Sequence, residues 1–293
     1  MATNLPDLFP EDLAPRAADA APANDGRADD GPSVNAATGG RPFDLDLPVV
    51  VLIHGAGMDH TVWASQARWY AHHGHAVLAV DLPGHGGSDG PGLASIEAMA
   101  DWIWRVLDRL GVGEATLIGH SMGSLVALQA AAALPERASA LILAGTVPRM
   151  AVHPDMLTSA HAAEHGVIDM MVGWSFGRQS QLGGVGTPGG RLPETAMRLL
   201  ERADPAVLAS DLAACDQYAG ALAAAVKVAC PTLLVLGAED RMTPPGKITP
   251  LAAALQGSRT IVIPEAGHMM MMEQPAATLA AFRQLKTNGV VVR

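Results

Sequence analysis

From Leu47 onward the chain alternates short apolar runs with segments of helical periodicity. Pro48-Val49-Val50-Val51-Leu52-Ile53 is continuous and β-branched, the pattern of a strand covered on both faces, and a Gly-rich turn closes it. A helix-like stretch with Val62, Trp63, Gln66, Trp69 and Tyr70 follows, then a second strand over 76–80. Ser95 predicts the start of an amphipathic helix whose Ile96, Met99, Ile103, Val106, Leu107 and Leu110 share one face and which Gly111 stops. A third strand, 115–118, runs straight into Gly119-His120-Ser121-Met122-Gly123 and an Ala-rich helix to about Leu134. Residues 141–144, 232–236 and 260–263 read as the fourth, fifth and sixth strands. Strands joined by helix-length crossovers require a mostly parallel central sheet flanked by helices, with functional residues at the carboxyl ends of its strands.

Between Gly145 and about Val226 the alternation stops, and helical fragments carry Met150, Met156, Met170, Met171, Trp174 and Phe176. An insertion of this size after the fourth strand predicts a helical cap over 146–226, set on a core made of 47–145 and 227–293. The Gly-rich stretch 183–190 inside it is expected to be a movable lid. Residues 1–40 are rich in Ala, Pro, Asp, Asn and Gly without sustained periodicity, so 1–46 is expected to be a mobile acidic leader that cannot offset its ordering entropy by burial.

The length of 293 residues suits one large α/β domain, and 49% apolar with 16% charged residues gives a full core and excludes disorder throughout. A formal net charge of −10 argues against a nucleic-acid or anionic-membrane partner. The excess is uneven: residues 1–46 hold nine acidic and three basic side chains, leaving only −4 for the remainder. The first residues lack a basic and apolar secretory pattern, and no run approaches a membrane span, so a cytoplasmic location without a transmembrane segment is expected. Cys215 and Cys230 are two thiols rather than a disulfide framework, and are expected to pack as apolar filler.

Gly119-His120-Ser121-Met122-Gly123 fits the G-x-S-x-G nucleophile elbow in the strand–turn–helix context the pattern needs. A strand reversing into a helix within one residue forces Ser121 towards positive φ, and side chains two positions away on either side would collide. A serine needs a base, and the base an orienting carboxylate. Leu236-Gly237-Ala238-Glu239-Asp240 places carboxylates past the fifth strand, and Glu265-Ala266-Gly267-His268 a histidine past the sixth. Asp240 is preferred to Glu239 as the acid from its loop position; Gly145 and Thr146 leave the alternative acid site after the fourth strand unoccupied. For the oxyanion, the backbone N–H groups of Ala56, in His54-Gly55-Ala56-Gly57, and of Met122 are the candidates. His54, His85 and His120 are expected to brace loops. The histidines show no metal-ligand spacing and no nucleotide fingerprint occurs, so neither metal nor cofactor is expected.

On these residues the chain resembles the α/β-hydrolase superfamily, in its capped serine esterase and lipase-like branch. The resemblance spans about residues 47–285 and rests on His54-Gly55-Ala56-Gly57, Asp81-Leu82-Pro83-Gly84-His85-Gly86-Gly87-Ser88, the elbow, Gly237-Ala238-Glu239-Asp240 with Pro244, and Gly267-His268. It implies the α/β-hydrolase fold, with Ser121 as nucleophile, His268 as general base and then acid, Asp240 fixing the imidazole tautomer, and Ala56 and Met122 forming the oxyanion hole. The pairing of His-Gly-Ala-Gly with Gly-His-Ser-Met-Gly is similar to that of monoacylglycerol lipases and carboxylesterases, which implies ester substrates with an acyl chain. Members usually begin with a two-strand hairpin; little between Ala36 and Leu47 could form it, so either the sheet is trimmed at that edge or Arg41 to Leu47 makes one short strand.

The expected reaction is hydrolysis of a carboxylic ester with an apolar acyl or aryl group through an acyl-enzyme, the partners being a small-molecule ester and water. Met150, Met171, Trp174, Phe176 and Met269 are the candidate pocket residues, although the run Met269-Met270-Met271-Met272 equally fits core packing. Hydrolysis of a carbon–carbon bond in a vinylogous diketone, or of a lactone, uses the same triad, and Arg149, Arg178 and Arg191 keep a carboxylate-bearing substrate open. A catalytically silent binding protein of this fold is the third reading.

Overall fold

The computed structural model describes residues 2–4, 33–183, 191–287 and 290–291. In chain order its strands are β1 (Ala2–Asn4), β2 (Asn35–Ala37), β3 (Val49–Ile53), β4 (Ala76–Val80), β5 (Ala115–His120), β6 (Ala138–Ala144), β7 (Thr232–Gly237) and β8 (Arg259–Ile263), with a separate short pair, β9 (Lys286–Thr287) and β10 (Val290–Val291). The first eight form one sheet in the order β1-β2-β4-β3-β5-β6-β7-β8. Every neighbouring pair from β4 through β8 is parallel, while β2 runs antiparallel to β4 and β1 to β2. All five residues of β3 and of β4 are buried, as strands covered on both faces must be.

The helices that cover the sheet follow from the periodicity. Helix α1 (Ala64–Ala71) joins β3 to β4, and α2 (Ile96–Arg109) begins where Ser95 Oγ accepts the Ala98 N–H at 3.1 Å. Helix α3 (Met122–Ala133) starts immediately after Ser121 and is buried on nearly every side, which its small alanines permit. It packs on α2, where Trp104 Nε1 donates to the Ala130 carbonyl at 2.9 Å.

The chain joins the body earlier than the sequence pattern suggests. The strand that pairs with β4 on this side of the sheet is Asn35–Ala37, not Arg41–Leu47, which is turn and loop. Asn35 pins it: its N–H donates to Ser88 Oγ at 2.9 Å and its Nδ2 to Asp81 Oδ2 at 2.6 Å, while Val34 and Ala36 are buried. The expected leader boundary at residue 46 therefore moves back to about residue 33, and Ala2–Asn4 adds a further strand outside β2. The rest of the expected leader, residue 1 and residues 5–32, lies outside the described residues.

Between β6 and β7 stands a helical insertion: α4 (Pro154–His161), α5 (Gly166–Ser175), α6 (Arg178–Gln181), α7 (Leu192–Arg202), α8 (Pro205–Gln217) and α9 (Ala221–Ala225). Residues 184–190, most of the expected glycine lid, lie outside the described residues. After β7 come α10 (Thr249–Ala254), then β8, α11 (Met270–Glu273) and α12 (Pro275–Phe282). Both cysteines are free thiols, Cys215 buried in α8 and Cys230 half-buried ahead of β7. Among the described residues no helix is long and apolar enough to cross a membrane.

Candidate active site

Ser121 sits between β5 and α3 with φ 51° and ψ −122°, one of three non-glycine residues at positive φ among those described. Its strained backbone is held from both sides: the Ser121 N–H donates to the Ala144 carbonyl at the end of β6 at 3.0 Å, and the Ser124 N–H donates to the Ser121 carbonyl at 2.8 Å. The flanking glycines are required by space. A Cβ on Gly119 would strike the Gly123 backbone, and one on Gly123 would strike the carbonyl oxygens of Ile53 and His54. The elbow thus presses against the turn that ends β3, where a Cβ on Gly55 would meet Ser121 Cβ at 3.2 Å.

His268, buried in the loop after β8, directs Nδ1 to Asp240 Oδ2 at 2.8 Å. Glu239, the competing carboxylate, accepts instead from the Arg178 N–H at 2.6 Å. Asp240 also accepts from the N–H groups of Met242 and Thr243, at 2.9 and 2.8 Å, and from Thr243 Oγ1 at 2.6 Å. Burial opposes its charge, but the field and hydrogen bond of His268 and the donors on Thr243 outweigh that penalty and hold the carboxyl at about 2. The Asp240 carboxylate accepts from His268 Nδ1, which fixes a proton on that nitrogen and turns Nε2 away from the carboxylate. Among the described residues, neither His268 Nε2 nor Ser121 Oγ has a hydrogen-bond partner. Gly145 makes room for the ring: a Cβ there would come within 3.1 Å of the His268 imidazole.

The Gly55–Met58 turn lies beside the elbow, and two of its amides are bonded within the protein. The Met58 N–H donates to the Gly55 carbonyl at 3.2 Å and the Gly57 N–H to Asp211 Oδ2 at 2.9 Å. The amides of Ala56 and Met122 have no acceptor among the described residues. Two unspent N–H groups beside a serine, one at a helix N-terminus, suit a developing oxyanion.

Three further histidines are structural braces with assignable tautomers. His54 donates from Nδ1 to the Gly55 carbonyl at 2.9 Å and accepts the Leu82 N–H on Nε2 at 3.1 Å, so it is neutral; burial first, then the neighbouring His85, push it down to about 4. His120 donates from Nε2 to the His268 carbonyl at 2.9 Å and is pushed by burial to about 3. His85 faces the Pro83 carbonyl with Nδ1 at 3.0 Å and Asp211 Oδ2 with Nε2 at 2.8 Å.

Met150, Met171, Phe176 and Met269 are buried in the continuous apolar core, and Trp174 lies half-buried, edge-on to His153 at 5.8 Å. A cavity of about 160 Å³ within the insertion is lined by Ala160, Val167, Ile168, Leu200 and Leu208 among others. Of the methionine run, Met269 to Met271 fill core space, which flexible thioethers do well.

Four residues near the site escaped the sequence reading. Thr243 contacts both Asp240 and, at 3.2 Å, His268 Nδ1; a hydroxyl three residues after a loop carboxylate is a recognisable turn signal. The Ser175 carbonyl accepts the His268 N–H at 2.7 Å. Glu273 accepts from the Gly267 N–H at 2.8 Å, and Asp211 grips Gly57 from α8. A carboxylate on the apolar face of α8, among Val207, Leu208, Leu212 and Cys215, was the available signal for Asp211. Asp59, His60 and Asp81 cluster within 4.8 Å as possible metal ligands, but Asp81 already accepts from the His60 N–H and Nδ1, the Asn35 Nδ2 and the Gly87 N–H.

Comparison with known proteins places this geometry in context. The family model described as "Alpha/beta hydrolase family" matches residues 50–282. The chain is 31% identical over 255 residues to a pimeloyl-(acyl-carrier protein) methyl ester esterase of Klebsiella pneumoniae, covering 81% of this chain and 93% of that protein. It is 35% identical over 120 residues to the (E)-2-((N-methylformamido)methylene)succinate hydrolase of Acinetobacter baylyi, a match covering 41% of this chain and only 42% of that protein. Among solved structures, an enol-lactonase from Burkholderia xenovorans superposes with a TM-score of 0.77 at 23% identity, covering 86% of this chain and 95% of that one, a likeness of fold. A thermophilic esterase from Thermogutta terrifontis gives 0.73 at 28% identity, covering 86% and 93%.

Proposed function

Because the chain belongs to the alpha/beta hydrolase family, we propose that it is a serine hydrolase that cleaves carboxylic esters bearing an apolar acyl or aryl group through an acyl-enzyme. The observation that carries this reading is a strained Ser121 at the strand–helix elbow beside a buried His268 whose Nδ1 is fixed 2.8 Å from Asp240. Ser121 Oγ attacks the ester carbonyl as His268 Nε2 takes its proton, and the amides of Ala56 and Met122 receive the negative oxygen. His268 returns the proton to the leaving alcohol. It then activates a water that releases the acid and restores Ser121. No step draws on a metal or cofactor. The insertion over 146–226 acts as the cap.

Ester cleavage is favoured over cleavage of a carboxylate-bearing diketone by the esterase relative matched along most of its length. Of the three arginines that keep a carboxylate-bearing substrate open, Arg149 donates to the carbonyls of Gln217 and Tyr218 and Arg191 is paired with Glu194, while the Arg178 guanidinium has no partner among the described residues and remains available to the second reading.

The test is turnover of p-nitrophenyl butyrate set against a ring-fission dienoate, together with fluorophosphonate labelling. The expected result is ester turnover and a labelled Ser121, both lost in Ser121→Ala with a fall in kcat of about 10⁴-fold or more. Inertness toward the ester with turnover of the dienoate would reassign the substrate. A folded protein that takes no label at Ser121 would point to the silent binding reading. A chain-length series of p-nitrophenyl esters then reports the depth of the acyl site.

A further inference from the structure

Asp211 is the one place where the insertion sends a fully buried carboxylate into the turn that bears the Ala56 amide. It projects from the apolar face of α8, 154 residues away from Gly57 in sequence, and its Oδ2 accepts both the Gly57 N–H at 2.9 Å and His85 Nε2 at 2.8 Å. Its other oxygen, Oδ1, is buried without a partner. A buried carboxylate with half its acceptor capacity unmet is a costly group for a helix face that alanine or leucine would pack more cheaply.

The charge is balanced by His85. Both ring nitrogens of His85 face acceptors, the Pro83 carbonyl and Asp211, so both must carry protons and the ring is an imidazolium. Burial works against that cation, but the hydrogen bond and field of Asp211 and the Pro83 carbonyl prevail and raise its pKa above the ordinary value. His54, its ring 4.7 Å away, stays neutral and completes the set: it ties the Gly55 carbonyl to the Leu82 amide beside the same turn. The leucines of the insertion add a steric wall, since a Cβ on Gly57 would meet Leu208 at 2.7 Å and Leu200 at 3.0 Å.

We infer that Asp211, anchored by the His85 imidazolium, is a positioning residue through which the helical insertion orients the oxyanion turn. By accepting the Gly57 N–H it fixes the Ala56–Gly57 peptide, while His54 and the Met58 N–H hold the Gly55 carbonyl of the peptide that bears the Ala56 N–H, so that the two planes on either side of Ala56 are set together. Asp211 touches no reacting atom. It acts through the backbone of Gly57, so a displacement of α8 withdraws the acceptor and lets the turn relax. The inference rests on the Ser121 hydrolase reading above.

The experiment compares the full-length protein with Asp211→Leu and Asp211→Asn, counting active sites by fluorophosphonate so that misfolded molecules are excluded. The expected result for Asp211→Leu is a fall in kcat per labelled site of about 10- to 100-fold, part of the loss known for deleting an oxyanion donor, with KM within about threefold. Affinity for an alkyl boronic acid, a mimic of the tetrahedral intermediate, falls by the same factor. Asp211→Asn retains an oxygen for the Gly57 amide and stays within about threefold of the native kcat. A purely structural role would lower the labelled fraction and the Tm while leaving kcat per labelled site and boronate affinity unchanged, and that outcome overturns the inference. So does an Asn variant as slow as the Leu variant. If Asp211→Leu yields no folded protein, Asp211→Ser, whose hydroxyl is too short to reach Gly57, is read by the same criteria. Failure of the underlying reading is seen separately, as a native protein that neither turns over ester nor labels at Ser121.

Discussion

Asp240 shows how one side chain ties stability and chemistry to the same proton. Its carboxyl lies at about 2, down from an ordinary 3.8, because His268 and Thr243 favour the charged form more than burial disfavours it. Asp81 is held at about 2 as well, against burial, by His60, the Gly87 N–H and Asn35. A carboxyl whose folded pKa is depressed lends stability that is complete above its unfolded pKa and disappears as pH falls through the folded one. Unfolding in urea followed from pH 7 to 2 is therefore expected to lose roughly 2 kcal/mol per group below about pH 4, on top of a loss that begins near pH 6.5 because the buried His54 and His120 stay neutral in the folded protein and charge in the unfolded one. In Asp240→Asn the acid-side slope becomes shallower by one group's share, and an unchanged slope would contradict the assignment. In the same variant the Asn oxygen stays with the Met242 and Thr243 N–H groups and its NH2 faces His268, which fixes the wrong tautomer, so kcat should fall about 10⁴-fold with KM little changed, by steady-state kinetics normalised to labelled sites. At this scale the sequence discloses what is contiguous. The elbow and the two strand-end loops can be read from neighbouring residues, whereas the grip of Asp211 on Gly57 spans 154 positions and exists only once α8 has docked.

The strand–elbow–helix unit of β5 and α3 is specified with little tolerance, unlike the helix that packs beside it. A methyl group at Gly123 has nowhere to go, because the carbonyls of Ile53 and His54 belong to a central strand and its turn and cannot yield. Gly123→Ala is expected to cost more than about 4 kcal/mol or to abolish folded protein, as strain and overpacking in a core do. Ser95→Ala removes only the side-chain acceptor that caps α2, and should cost about 1 kcal/mol. Chemical denaturation of both variants checks the contrast; a Gly123→Ala protein as stable as Ser95→Ala would refute the steric account. The long, periodic elements were readable: α2 begins after Ser95, and β3, β4 and β7 fall within a residue of the expected spans. The short strand Asn35–Ala37 was not, since three residues without apolar alternation carry no period. What places it is a side-chain clasp on Ser88 and Asp81 rather than its own pattern.

Across the whole molecule, the insertion is fastened to the sheet-end loops on both sides of Ser121. Asp211 holds the oxyanion turn on one side, and on the other the loop bearing His268 is stitched to α5 and α6. There the Ser175 carbonyl accepts the His268 N–H at 2.7 Å, while Glu273 takes the Gly267 N–H on one oxygen and the Gly177 N–H and Ser180 hydroxyl on the other, at 2.8, 2.8 and 2.7 Å. All three partners of Glu273 are donors, so the group must accept at both oxygens. Glu273→Gln puts an amide N–H against one of those donors and should cost about 2 kcal/mol through an unmet buried group. Burial holds the Glu273 carboxyl above its ordinary value, so its own titration lends stability only at acid pH and loses it as pH rises. The substitution is therefore best compared at pH 7, where relief of that penalty offsets part of the cost. Hydrogen exchange of the full-length protein discriminates local from global loosening. If Glu273 couples the insertion to the His268 loop, peptides covering 175–181 and 265–273 lose protection together in Glu273→Gln while those of β3 and β5 keep theirs. Loss confined to 265–273 would mean that the insertion is held without it.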